Sequence, residues 1–467
     1  MIEALARFGG RPAIAPEQAL AGVGRWPDTR PEDVAAVTDV LTSGREPWGF
    51  LHPEVAAFQR EYAAVVGRKH CLAVASGTAA LHLAVAALDV EAGSEILTPA
   101  LGYIASATCI LNHNCVPVFV DVDPDTFNID PAAIEAKVSP RTRAVVAVDL
   151  LGLPADFAAI EAIARRRGLA VIEDAAQAQG ARYHGRRCGA LGDLSAVSLM
   201  PSKNLPGAGE GGLVTTDSDE LQRNLLGHAS LGMNVWAADG PKRVSHQLGF
   251  NYRPTPTSVA FVRSQLRRLD RYQAAREAHV AAFEAAIADI AFLRRPRRPP
   301  GRTHAYQMYR LLVVPEALGL DAADGRHVRD AVVFLLRGEG AVCAFWEALS
   351  LPAMDVFQRR VGYGGGCPWT CRGGSDVRYD PEEYPVTRRI LDTYFMAPIA
   401  RATHDRAFVL RQAEAYRKLA AHPEAVRALS LRISAAGGMA RLCGSTIFDE
   451  AAQRGLRLTA GGAARVG

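Results

Sequence analysis

From residue 70 to residue 216, short apolar runs alternate with amphipathic stretches. The runs at 71–75, 95–98, 116–122, 144–149, 170–173, 195–199 and 212–216 read as strands. Helical periods at 78–88, 106–112, 131–137 and 157–167 fall between several of them. Strands this apolar are covered on both faces, so the pattern predicts an α/β region around a mostly parallel sheet. In such sheets ligands bind at the carboxyl ends of the strands. Ahead of this region, Pro31-Glu32-Asp33 opens a helix with Val34, Val37, Val40 and Leu41 on one apolar face. A second helix from Pro53 aligns Val55, Phe58 and Tyr62.

The pattern after residue 216 is less regular. A long helical stretch over 256–290 reads as a bridge out of the α/β region, and the RRPRRPPGR segment at 294–302 reads as a solvated linker rather than an anion patch. Beyond it, 309–314 and 341–345 read as strands, 326–337, 385–394 and 406–419 as helices, and 362–374 as an irregular loop. The expected division is an N-terminal arm (1–25), a large domain with its bridging helix (26–290), a small C-terminal α+β domain (291–425) and a tail without strong period (426–467).

Candidate chemistry gathers at the predicted strand ends. The run ending at Ile172 is followed by Glu173 and Asp174, and Lys203 stands in Met200-Pro-Ser-Lys-Asn-Leu with no charged neighbour. A strand-end carboxylate and a lysine in an apolar setting are what a pyridoxal phosphate (PLP) site requires. The carboxylate keeps the pyridine nitrogen protonated; the lysine, its pKa lowered by desolvation, holds the aldehyde and moves protons. Asp174 would serve equally as a cap on the following turn. Ser76-Gly77-Thr78 is a ready phosphate site if its first-turn amides are free, and an ordinary helix start otherwise. Tyr103 is either a ring stacked on the cofactor or a half-buried core residue. Gln177 would reach the ring hydroxyl if Asp174 faces the cofactor, and Ser198 either adds a phosphate bond or finishes its strand. His304 fits a structural role and a ligand contact equally well.

Composition narrows the class. A chain of 467 residues exceeds one ordinary hydrophobic core, so two domains are expected. A net charge of +4 argues for neither nucleic acid nor a membrane surface. The first twenty residues lack a secretory pattern, and no run of about 18 apolar residues occurs, so a cytoplasmic protein is expected. Eight scattered cysteines suit reduced thiols, and Cys367 and Cys371 read as two unliganded thiols, with no metal expected.

Together, SGTAAL, the aromatic after TPA, VFVDVDPDTFNID, IEDAAQAQGA, SLMPSKN, GEGG and GFNYRP resemble in order and spacing the DegT/DnrJ/EryC1/StrS family. These are PLP-dependent fold type I aminotransferases acting on keto-sugars and keto-cyclitols. The opening FGGRPAIAP and the RWP that follows resemble the branch of inosose aminotransferases and aminohydroxybenzoate synthases. The resemblance implies Lys203 as the Schiff-base lysine and proton carrier, Asp174 at the pyridine nitrogen and Gln177 at the ring hydroxyl. It places Gly77, Thr78 and Ser198 at the phosphate, Tyr103 on the ring, and Asn251 at the phosphate of a neighbouring subunit. It further implies a homodimer with shared active sites, glutamate or glutamine as amino donor, a cyclic ketone as acceptor, and ping-pong kinetics in a natural-product pathway.

The chain departs from the family pattern in places. Leu101-Gly102-Tyr103 lacks the usual threonine hydroxyl, and Asp149-Leu150-Leu151-Gly152 replaces His-Leu-Tyr-Gly, which puts a charged Asp149 near the expected pocket. Two alternatives follow: an elimination, dehydration or carbon-bond-forming reaction on the same cofactor, or a non-catalytic subunit or regulator. Lys203 speaks against the sugar-dehydratase subtype, in which histidine replaces the lysine. Retention of Lys203, Asp174 and the Ser-Gly-Thr turn speaks against a non-catalytic role.

Overall fold

A computed structural model describes residues 2–45, 49–233, 244–371 and 374–443. The expected tail beyond 443, and two positions of the expected loop (372–373), lie outside the described residues. In chain order the strands are β1 (His70–Val74), β2 (Glu95–Pro99), β3 (Val116–Val120), β4 (Thr142–Val148) and β5 (Ala170–Asp174). A small hairpin follows, β6 (Arg182–Tyr183) with β7 (Arg186–Arg187), and then β8 (Leu194–Ser198) and β9 (Gly212–Thr216).

Seven of these form one sheet in the order β1-β9-β8-β5-β4-β2-β3. β9 runs antiparallel to both neighbours and the remaining pairings are parallel. Strand β4, Thr-Arg-Ala-Val-Val-Ala-Val, is rich in β-branched residues and buries all but Arg143, as a doubly covered strand must. One face packs on Val55, Phe58, Phe157 and Val259, and the other on Leu81, Leu83, Ile110 and Leu225. Local signals delimit the covering helices. Phe157–Arg167 starts under an Asp156 cap, carries three arginines in its last turn, and ends at Gly168 in the left-handed region (φ 66°).

A second, three-stranded antiparallel sheet joins β10 (Leu293–Arg294), β11 (Arg310–Val313) and β12 (Tyr394–Met396). Helices Leu269–Ala286, Gly325–Gly338 and Arg406–Ala420 cover it around Phe283, Val332, Phe395 and Tyr416. Leu5 and Ile14 of the N-terminal segment sit in the same cluster. Among the described residues no helix is long and apolar enough to cross a membrane.

Several local expectations are corrected. The stretch over 256–290 is two helices, Pro256–Leu266 and Leu269–Ala286, and the break falls where Arg268 turns its guanidinium onto Asp33 (2.6 Å) and Glu32 (3.0 Å). Helix Pro31–Thr42 therefore buries Asp33, not its apolar stripe: Val34 is 56% exposed and Leu41 71%. The expected strand at 341–345 is a single bridge, Ala344 to Met396. The Tyr394 hydroxyl accepts from the Trp346 and Glu347 amides there and bends the chain away. At 294–302 the arginines Arg294, Arg295, Arg297 and Arg298 are exposed, as a solvated segment's are, but several also tie it to other elements: Arg294 and Arg297 pair with Asp125, Arg298 with Glu284, and the largely covered Arg302 with Asp156. Cys367 and Cys371 form a disulfide rather than two free thiols, closing a tight turn with Cα atoms 5.2 Å apart. Residues 423–436, within and beside the expected tail, form a helix that buries Leu429 and Ile433.

Candidate active site

The carboxyl ends of β1, β5 and β8 open onto one cavity of about 700 Å3, bounded on its other side by residues from the second sheet and the C-terminal helices. Gly77, Thr78, Tyr103, Asp174, Gln177, Ser198 and Lys203 all line it. Asn251 does not. It stands exposed on a loop bridged to Ser230.

The first-turn cradle depends on close packing. Ser76 caps helix Gly77–Ala86 by accepting from the Ala79 amide at 3.1 Å, and Thr78 is the one exposed residue of an otherwise buried helix. A Cβ at Gly77 would lie 2.6 Å from the Ser198 Cβ, so only glycine lets this helix start reach the end of β8. The result is a helix N-terminus beside two hydroxyls, the arrangement that takes a phosphate group.

Asp174 ends β5 and is buried. Its Oδ2 accepts from the Ser106 hydroxyl at 2.5 Å and its Oδ1 from the Ala176 amide at 3.1 Å. Burial outweighs these bonds and the Lys203 charge, lifting its carboxyl above the usual carboxylate range. A desolvated carboxylate of this kind suits a cationic N–H partner such as a pyridinium. Gln177 has its side-chain carbonyl committed to the Leu151 amide (2.6 Å), which leaves its NH2 as the group to face the cavity.

Lys203 sits in the turn after β8. Burial holds its amine below the usual lysine range, with Asp174 and then Glu210 pulling the other way. The turn is clamped from outside. The Trp26 indole donates to the Lys203 carbonyl at 3.1 Å, and the Gln307 amide donates to the Ser202 carbonyl at 2.9 Å. A cavity of this size, a glycine cradle, a buried carboxylate and a desolvated lysine together fit PLP.

Tyr103, half exposed, stacks on Trp346 with centroids 6.4 Å apart and planes at 18°. Sequence reasoning does not reach Trp346, Ser106 or Trp26. Ser106 stands three positions after Tyr103, in the one stretch where a hydroxyl could be sought for Asp174. Nothing in sequence ties Trp26 to a lysine 177 positions away.

Three other expectations change. Asp149 does not line the cavity, so it places no charge there. It lies fully buried with Glu173 and Cys188, and burial followed by the Glu173 charge holds its carboxyl well above the usual range. Its Oδ1 accepts from the Ala155 amide at 2.9 Å, and its Oδ2 has no N–H or Ser/Thr donor in reach, which the neutral acid accommodates by donating toward Glu173. Glu173 in turn accepts from Gly189, Leu191 and Ser195. Gly102 also stays outside the cavity lining, and a Cβ added there would meet Leu351 at 3.9 Å. His304 is structural: it is buried, its Nδ1 accepts from the Tyr306 amide at 2.9 Å, and its ring stacks on Tyr306.

Known proteins share this architecture and sequence. The model of the DegT/DnrJ/EryC1/StrS aminotransferase family matches residues 27–370. A pleiotropic regulatory protein of Geobacillus stearothermophilus is 37% identical over 349 residues, covering 73% of this chain and 86% of that protein. The GDP-perosamine synthase of Caulobacter vibrioides is 39% identical over 257 residues, 55% of this chain and 68% of its own. The crystal structure of a 3-amino-5-hydroxybenzoic acid synthase superposes with a TM-score of 0.72 at 28% identity, covering 85% of this chain and 98% of that one. A family match across most of the sheet, joined to relatives at this identity, leads to one conclusion: the chain belongs to the DegT/DnrJ/EryC1/StrS aminotransferase family and is a PLP-dependent aminotransferase of fold type I.

Proposed function

We propose that this enzyme moves an amino group from glutamate or glutamine to a cyclic ketone, a keto-cyclitol or keto-sugar, in a natural-product pathway. The observation that carries the reading is the meeting of Lys203 and Asp174 in one cavity with the Gly77–Ser198 cradle. The likeness to the 3-amino-5-hydroxybenzoic acid synthase supports a place in the inosose aminotransferase and aminohydroxybenzoate synthase branch.

Bound PLP supplies the aldehyde that carries the amino group and a ring that draws electrons. The protein's own part is positional and electrostatic. Gly77, Thr78 and Ser198 hold the phosphate at a helix start. Ser106 and the Ala176 amide fix the Asp174 carboxylate for the ring nitrogen, and Tyr103 covers the ring. Lys203, desolvated toward its neutral form, accepts and returns a proton at Nζ, while Trp26 and Gln307 hold its turn.

The active form is a homodimer in this reading. Asn251 stands exposed and outside its own cavity, free to meet a phosphate in a second subunit, and the uncovered Val34 and Leu41 give a subunit contact something apolar to bury. The chain divides into the arm 1–25, a large domain to residue 290 and a small domain from 291, with the cavity between the two. Borohydride reduction of the purified yellow protein, followed by peptide mass mapping, tests the assignment: the cofactor should be fixed on Lys203. A donor panel read by cofactor absorbance, then a screen of keto-cyclitols and nucleotide-linked keto-sugars, tests the reaction. No response to any amino donor would overturn transamination by this route.

A further inference from the structure

Residues 362–371 stay outside the cavity lining, and holding a cofactor gives them no direct task. Four of the five positions from 362 to 366 are glycine, and Cys367-Pro-Trp-Thr-Cys371 follows at once, closed by its disulfide. The closed ring presents Trp369, only 2% exposed, to a cluster with Ala107, Leu111, Phe119 and Phe357. The Trp369 indole donates to the Tyr379 hydroxyl at 2.8 Å, and that hydroxyl donates to the Pro117 carbonyl at 2.8 Å. A second contact comes from the glycine-rich side of the loop. Tyr363 and Cys367 exchange backbone bonds of 3.0 and 2.9 Å, so close that a Cβ on Gly362 would lie 1.9 Å from the Cys367 carbonyl oxygen. From this position the exposed Tyr363 donates its hydroxyl to Asn112 Oδ1 at 3.3 Å.

Both contacts end on one helix, Ala105–Asn112. Ala107 and Leu111 lie on its face toward Trp369, and Asn112 is its last residue. At its other end Ser106 donates to Asp174 Oδ2 at 2.5 Å. Two turns of helix move as one body, so whatever holds this face and this end also sets where Ser106 stands. The loop holds itself poorly. Its glycines give the opened chain the largest freedom to lose, and the cross-link removes much of that freedom beforehand. The sulfurs are also placed for exchange. Cys71, Cys109, Cys115, Cys188 and Cys343 are buried, whereas Cys367 and Cys371 are both partly exposed, so a thiol in solution meets this pair first.

We propose that the Cys367–Cys371 disulfide is a thiol-sensitive brace: closed, it holds the helix that offers Ser106 to Asp174, and opened by a dithiol it loosens the grip on the cofactor. In the opening step a thiolate of the dithiol attacks one sulfur and the Cys367–Cys371 bond breaks, leaving a mixed disulfide. The second thiolate of the reductant then displaces the protein sulfur. Two electrons pass to the protein, both cysteines end as thiols after taking up two protons, and the dithiol leaves as its own disulfide. The proposal rests on the aminotransferase reading only where it speaks of cofactor; the brace on the helix stands without it.

The test compares oxidised and reduced holoenzyme, the reductant being dithiothreitol removed by anaerobic desalting before each measurement. Hydrogen exchange read by mass spectrometry should quicken by about tenfold or more over 361–371, and by about threefold over 105–112. On dilution the reduced enzyme should release its cofactor about threefold faster, followed by absorbance. The double variant Cys367→Ser, Cys371→Ser should match reduced wild type and not respond to the dithiol. Ser106→Ala should release cofactor fast from the start and gain little from reduction, since both changes act on one bond. A loop that quickens while helix exchange and cofactor release stay unchanged overturns the inference, as does equal acceleration in wild type and Ser106→Ala. So does maleimide labelling of both sulfurs after treatment with oxidised glutathione, which would mean that no bond closes. Borohydride fixation at Lys203 reports on the functional reading separately, because helix exchange decides the brace whether or not the cofactor is fixed.

Discussion

The cavity has two walls of different character. The strand-end wall holds Asp174, Gln177, Ser198 and Lys203 on strands and turns of one sheet, and Asp174, Gln177 and Ser198 are each engaged by a near neighbour. The opposite wall takes Arg276, Trp346, Met396, Arg401 and Phe408 from separate stretches of the chain, and its arginines have no carboxylate partner among the described residues. A cofactor that stays in place can be held by a wall completed at folding. A substrate that enters and leaves is better served by charges left for it to satisfy.

Substitutions on the first wall should have the largest effects. Lys203→Ala removes the covalent anchor and the proton carrier together, so turnover should fall by roughly a thousandfold or more and borohydride should fix no cofactor. Asp174→Asn keeps the shape but removes the charge facing the ring nitrogen. Turnover should fall by on the order of a hundredfold, with the absorbance of the bound cofactor shifted. If either change left turnover within a few-fold of wild type, the contrast between the walls would collapse.

The first wall is also the one that could be read from sequence, for a physical reason. Its residues sit at the ends of short, doubly buried strands, where a polar residue after an apolar run has few structural explanations. Lys203 and Asp174 announce themselves this way, and Gly77 marks a close approach that its contact with Ser198 makes plain. The second wall is built across long separations. Arg276 lies on a helix full of charged residues and looks like any solvated arginine until Trp26, from the start of the chain, covers it. Helix Pro31–Thr42 shows the reverse error: its regular apolar stripe suggests a core contact, yet one buried aspartate, held by Arg268 and Gln265, sets which face turns inward. Periodicity reports what a helix can bury, and only the partner decides what it does bury.

Ser106 offers a graded test within the first wall. Its hydroxyl donates 2.5 Å to the Asp174 carboxylate, and it is fully buried. Ser106→Ala removes a bond to a charged group, worth about 2 kcal/mol, so turnover or cofactor affinity should fall by roughly thirtyfold, and Ser106→Thr should recover part of the loss. An unchanged cofactor affinity and unchanged absorbance would mean that the Ala176 amide alone positions Asp174.

The smallest effect on activity belongs to Asp149, one residue past β4 and hydrogen-bonded through its amide to the Asp174 carbonyl, yet turned out of the cavity. Burial raises its folded-state pKa above the unfolded value. Its protonated form therefore stabilises the fold fully below the ordinary aspartate range, and that contribution is lost as pH rises from there through the folded pKa. At neutral and higher pH the acid is a liability, costing about 1.4 kcal/mol for every tenfold by which folding weakens its acidity. Asp149→Asn keeps the oxygen that accepts from Ala155 and supplies an N–H toward Glu173 without any ionisation. Turnover should stay close to wild type. In chemical denaturation followed across pH, the variant should match wild type at low pH and exceed it in stability as pH rises. A variant less stable than wild type at pH 8, or one with altered acceptor preference, would return Asp149 to the substrate site and blur the boundary between the wall that holds the cofactor and the chemistry beneath it.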